Sequence, residues 1–211
     1  CFTIEEALLQ QGDNLFPREE LAEQDAAITI YKTVPKPING HLIWLKDDNG
    51  NVTGVKWRKG ENNLDGKIWI KELPKKTEDG GDYKNLYVGG IDSIDIGVQD
   101  SADLNGGGSD FCIVIKKRTF GLEDPCYVAM YKDRPRDPRE AYEIAAKVLT
   151  YYGCQAVLES TRTAILTFFR ERKWLNLLMK RPRSTMSDIS KGNANMYGAP
   201  ASIKVIEHYR E

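Results

Sequence analysis

D-P-R-E-A-Y-E-I-A-A-K-V-L-T-Y-Y-G-C-Q-A-V-L-E-S, residues 137–160, decides the fold. Asp137 is an N-cap residue, Pro138 takes the first helical position, and Glu140 falls three residues past the cap. Ala141, Ile144, Ala145, Val148, Leu149 and Tyr152 recur at helical spacing and make one apolar face. Gly153 stops the helix. Cys154–Leu158 follows at once, a short apolar run of the kind found in a sheet interior. A helix that feeds such a strand is a crossover, and crossovers make parallel neighbours.

Upstream, Leu86–Ile91, Phe111–Lys117 and Cys126–Lys132 read as three strands joined by turns, an antiparallel set. Downstream, a second helix runs from about Arg162 to Lys173 with Ile165, Phe168 and Phe169 inward, and Leu175–Met179 reads as a last strand. The order β-β-β-α-β-α-β predicts an α/β fold. It has a mixed sheet of three antiparallel strands, then parallel strands, with flanking helices. Further upstream, His41–Lys46 and Val52–Arg58 flank a turn containing Asn49-Gly50, and Lys67–Leu73 alternates as a third strand. We expect a small β-meander here, with Trp44, Trp57 and Trp69 meeting on one face as its core. Before it, Thr3 and Glu6 have capping-box spacing, Arg18 to about Asp25 reads as helix, and Pro35 and Pro37 impose extended chain.

The formal net charge of -1 argues against a permanently coated nucleic-acid binder, and leaves local basic patches to carry any such contact. The four cysteines make no C-x-x-C pair, which argues against structural zinc and for a reducing compartment. No apolar run approaches the roughly 18 residues of a membrane span. The chain starts within a helical pattern and stops in another, so we expect a fragment of a longer protein.

Two apolar runs end in a carboxylate: Leu86–Asp92 in Asp92, and Cys154–Glu159 in Glu159. On neighbouring strands the two acids repel, and a hard divalent cation relieves that repulsion. Each acid alone also has the look of a solvated or capping side chain; the pair in this strand order favours metal. Asp95 and Asp110 are second-rank candidates, Asp110 because it opens a strand and turns back toward Asp92. Asp100 and Asp103 read as solvated. Gly106-Gly107-Gly108 is not a phosphate-binding P-loop, since no Gly-Lys-Ser/Thr follows. Lys180, Arg181 and Arg183, with Arg162, Arg170, Arg172 and Lys173 before them, are candidates for DNA-backbone contact or a solvated face. His41 and His208 show no partner at ligand spacing, and no Ser-His-Asp or Cys-His arrangement stands out.

Taken together, C-F-T-I-E-E-A-L-L-Q-Q-G-D-N-L-F-P, G-K-I-W-I-K-E-L-P, Y-V-G-G-I-D-S-I-D, G-G-G-S-D-F-C-I-V-I and A-V-L-E-S-T-R resemble the C-terminal nuclease region of tailed-bacteriophage terminase large subunits. The resemblance covers nearly the whole chain and lies in the order and spacing of the motifs. It implies an RNase H-like fold and metal-dependent cleavage of concatemeric double-stranded DNA during genome packaging. Asp92 and Glu159 would be the first two metal-binding, catalytic acids, with Mg²⁺ or Mn²⁺ in a two-metal site. The family's third acid has no match here; Asp188 is nearest but its context differs, so we expect it beyond Glu211. Such a fragment would bind metal weakly and cleave poorly. Residues 1–38 would be the linker after an absent ATPase domain, 39–82 the hairpin subregion, and 83–211 the nuclease core. The implied partners are DNA, that ATPase domain, the portal and the small terminase subunit. The implied place is the host cytoplasm, transiently at the procapsid portal. Another RNase H-like nuclease, resolvase- or transposase-like, and a non-catalytic domain docking the motor on the portal are the alternatives.

Overall fold

The computed structural model describes residues 18–30, 36–62, 65–94, 110–159, 163–181 and 197–198. The chain divides into two compact units, Cys1–Pro37 and Ile38–Glu211. In the first, α1 (Arg18–Thr29) carries Glu19 and Glu20 in its first turn, where the helix dipole favours acids. It runs past the expected end near Asp25.

The second unit is an α/β fold on a mixed seven-stranded sheet. Its strands are β1 (Ile38–Lys46), β2 (Val52–Lys59), β3 (Ile68–Ile70), β4 (Tyr87–Asp92), β5 (Phe111–Lys117), β6 (Cys126–Asp133) and β7 (Ala156–Leu158). They lie in the order β2-β1-β3-β6-β5-β4-β7. As expected, β5 pairs antiparallel with β4 and β6, while β7 joins β4 in parallel. The crossover between them is α2 (Pro138–Tyr152), with Asp137 accepting from the Arg139 backbone N–H and Gly153 in the left-handed region at its end. Ile165, Phe168 and Phe169 of α3 (Ala164–Glu171) are buried, as their spacing predicts.

Alternation along the strands separates two faces. Tyr87, Ile91, Phe111, Ile113, Ile115, Tyr131 and Leu158 are buried on one face, in a core shared with Ala141, Ala145 and Leu149 of α2. Phe111 lies against Tyr142, and Tyr142 against Phe168, so α2 and α3 cover this same face. On the other face Val88, Gly90 and Val114 are half-buried, and Lys116, Met130 and Lys132 are exposed.

The hairpin region departs from a simple meander. β1 lies between β2 and β3, and β3 pairs onward with β6, so these strands continue the sheet of the core. The cause is the loop after β2. A Cβ on Gly66 would fall 2.3 Å from the Gly40 carbonyl oxygen, so only glycine lets the chain fold back this closely on β1. Buried Asn39 holds the loop there, its amide donating to the carbonyls of Asn62 and Asp65 at 2.9 Å each. Trp44 and Trp57 share the core side, where Leu42 faces Trp57 and Trp44 faces Val55. Trp69 lies opposite Asn39 and Met130 and turns to the other face, contrary to the three-tryptophan cluster.

The last expected strand is also different. Leu175–Leu177 is a 3₁₀ turn, and only Leu178 forms a parallel bridge, to Ala156. Trp174 is anchored on Trp44, Phe168 and Phe169, with ring centroids 5.6 to 6.0 Å apart, and this draws the chain into the turn. At the Tyr87 end of the sheet the Lys117 side chain, 3% exposed, meets Glu72 at 2.6 Å and Glu123 at 2.7 Å. Those carboxylates raise its ammonium pKa against the opposing effect of burial.

Candidate metal and nucleic-acid site

Gly89 pairs with Ala156, Gly90 with Val157 and Ile91 with Leu158. The Glu159 backbone N–H donates to the Ile91 carbonyl at 2.8 Å. Asp92 and Glu159 are therefore the next residues in register, at the carboxyl ends of adjacent parallel strands. Neighbouring strands lie about 4.8 Å apart. Buried Ile91 and Leu158 anchor the two acids from behind, while Asp92 is exposed and Glu159 half-buried. In open α/β sheets, ligands collect outside the carboxyl ends of the strands.

The same row continues across the sheet. Asp92 pairs with Cys112, and Cys112 with Lys132, all on the face away from α2. Lys132 Nζ lies 3.3 Å from Asp110 Oδ2. This places Asp110 at the same end of the sheet as Asp92, as its position before β5 suggests. Burial first, then the charges of Asp92 and Asp110, push the Cys112 thiol up, and Lys132 opposes them. Sequence reasoning missed Cys112 and Lys132 as neighbours of the acids. The alternation in F-C-I-V-I-K-K and C-Y-V-A-M-Y-K was the signal available.

Of the expected DNA-contacting residues, Lys180 is exposed and bridges Tyr197. The parallel bridge from Ala156 to Leu178 carries the chain toward the Glu159 end, so Lys180 and half-buried Arg181 arrive there. Arg172 packs elsewhere, with its guanidinium over the rings of Phe168 and Trp174 at 4.8 and 5.5 Å. Arg170 and Lys173 are exposed. Asp95, Asp100, Asp103, Gly106–Gly108, Arg162, Arg183, Asp188 and His208 lie outside the described residues. His41 does have a partner, Asp65 Oδ1 at 2.7 Å, brought near by the loop after β2. That hydrogen bond holds the Asp65 carboxyl below the usual carboxylate range.

Among the described residues no group of three or more His, Cys, Asp or Glu is placed to hold a metal ion. Cys112, Cys126 and Cys154 are free thiols. Burial pushes the Cys154 thiol up to about 12, which keeps it unreactive. Among the described residues no helix is long and apolar enough to cross a membrane. No protein-family model, curated protein or solved structure gives a significant match to the chain.

Proposed function

We propose that this chain is the nuclease region of a tailed-bacteriophage terminase large subunit, a metal-dependent endonuclease acting on double-stranded DNA. The observation that carries this reading is the in-register placement of Asp92 and Glu159 at the ends of adjacent parallel strands. The RNase H-like assignment draws support from the order β6-β5-β4-β7. A pair of antiparallel hairpins comes first, a crossover through α2 then adds a parallel strand beside β4, and Leu178 bridges the far side of β7. The terminase-like motifs fall on β3, β4, β5 and β7 in the same sequence.

Two adjacent carboxylates with oxygen donors suit a hard divalent ion, Mg²⁺ or Mn²⁺, better than a soft metal. When bound, that ion supplies Lewis-acid stabilisation of charge on the phosphodiester. Asp92 and Glu159 would hold it. The backbone bond to Ile91 fixes the main chain at half-buried Glu159, and exposed Asp92 opens the site to the duplex. Lys180, Arg181 and Arg183 would contact the backbone. The ATPase domain, portal and small terminase subunit are the partners that go with this reading, in the host cytoplasm and transiently at the procapsid.

The test is nicking of supercoiled plasmid in Mn²⁺ by the ATPase-containing subunit that this reading implies. Cleavage is expected to vanish in Asp92→Asn and Glu159→Gln and on chelation. Undiminished cleavage by both variants would sink the assignment.

A further inference from the structure

The row of side chains that begins at the acids does not end at Lys132. From Glu159 and Asp92 it passes through Cys112 to Lys132, each in register with the next. One step beyond the Ile68–Tyr131 and Gly40–Ile68 pairs, the same line crosses the residue before β3 and reaches His41, which pairs with Arg58 on the edge strand β2. Arg58 is exposed on the side away from Trp57, and the Lys132 side chain is 60% exposed. The line is thus acidic at one end, and from its middle to its far edge it carries Lys132, Lys67 and Arg58, with Lys132 paired to Asp110, Lys67 to Asp133 and His41 to Asp65. On the opposite flank of the acids stands exposed Lys180. Carboxylates alone repel a polyanion. Cations that share the face of the acids, from Lys132 to Arg58, fit a phosphate backbone that passes over the acids.

We propose that the duplex lies across the strands along this line, with Lys132 as a positioning residue for a phosphate beside the scissile one and Arg58 as the distal backbone contact. This rests on the nuclease reading above. Strand spacing of about 4.8 Å puts Lys132 two strands, or about 10 Å, from Asp92 and Arg58 five strands, or about 24 Å, away. At about 3.4 Å of helix axis per base pair, Arg58 meets the backbone some 7 base pairs from the cut. The Lys132–Asp110 pair holds the ammonium at this end of the sheet until a phosphate replaces Asp110 as its partner. The contacts are to backbone only, so they carry no sequence selectivity.

The experiment is binding of a fluorescein-labelled duplex to this chain, followed by anisotropy over a range of salt. Lys132→Ala and Arg58→Ala are each expected to weaken binding about 8-fold at 0.1 M salt and to lower the log–log salt slope by about 1. Lys132→Arg should restore the slope, which a merely structural role would not do. Lys76→Ala, a lysine paired with Asp82 near the opposite end of the sheet, should bind as the parent does. Parent-like affinity and slope in both Lys132→Ala and Arg58→Ala overturn the proposed path, and leave the nuclease reading to its own test on Asp92 and Glu159. A parent chain that fails to bind duplex at low salt overturns both.

Discussion

Gly89 and Gly90 are adjacent in β4, and the same substitution at each should have opposite effects. Neither has a positive φ, so alanine meets no backbone strain at either. A Cβ on Gly89 would point to the core face. It would fall 2.8 Å from Leu149 Cδ2, 3.0 Å from the Ala156 Cβ and 3.3 Å from the Ala156 Cα. The leucine tip can swing aside, but the Ala156 contacts belong to the strand paired with Gly89 and cannot. Overpacking of this kind costs about 1–3 kcal/mol, offset by the roughly 0.5–1 kcal/mol by which alanine improves on glycine in a strand. The net expectation for Gly89→Ala is a loss of about 1–2 kcal/mol, or a melting temperature lower by about 3–6 °C for a domain of this size. A Cβ on Gly90 would point to the other face and meet only Val114 Cγ2, at an ordinary 3.6 Å. Gly90→Ala should therefore be neutral or gain up to about 1 kcal/mol. Urea unfolding and thermal melts read both. If Gly89→Ala is as stable as Gly90→Ala, then β4 does not pack between α2 and β7, and the in-register placement of Asp92 and Glu159 falls with it.

Other perturbations probe separate parts of the fold. Asp137→Ala removes the 3.0 Å bond to the Arg139 N–H and should cost about 1 kcal/mol in urea unfolding. Lys117→Met should cost about 1–2 kcal/mol, since Glu72 and Glu123 are partly exposed and rehydrate when the lysine is gone. Lys117 and Lys75 hold the Glu123 carboxyl below its usual value, so Glu123 stabilises the fold above about pH 4.3 and that contribution disappears as pH falls through its folded value. The acid limb of a stability–pH profile should be flatter in Glu123→Gln. Lys117 has the opposite sign: its raised value keeps its contribution intact up to about pH 10.4 and loses it at higher pH, a limb that should vanish in Lys117→Met.

Local signals carried most of the core. Asp137, Pro138 and Gly153 bracket α2 in sequence as they do in the structure, because capping depends on neighbours only. The apolar runs that became β4, β5, β6 and β7 were legible for a similar reason, and the crossover rule then put Asp92 beside Glu159. What was not legible depends on contacts distant in sequence. No pattern in residues 38–70 says that β3 will leave β2 for β1 and β6; glycines at 40 and 66 and the buried Asn39 amide decide it. Trp69 follows β3 onto the other face for that reason. Leu175–Met179 has strand composition, but the packing of Trp174 on α3 and Trp44 overrides it. Within the candidate site, each acid's own strand was readable. The row through Cys112 to Lys132 required the registers of two hairpins, which a bulge between Ile115 and Lys116 makes unpredictable by counting.

Everything proposed for the site rests on Asp92 and Glu159 together making a binding place for one hard divalent ion. A Mn²⁺ titration of this chain, followed by water-proton relaxation, tests that without depending on cleavage. Saturable binding is predicted in the parent and is lost alike in Asp92→Asn and Glu159→Gln, with melts unchanged. Mn²⁺ binding equal to the parent's in both variants, or none in the parent, would contradict it.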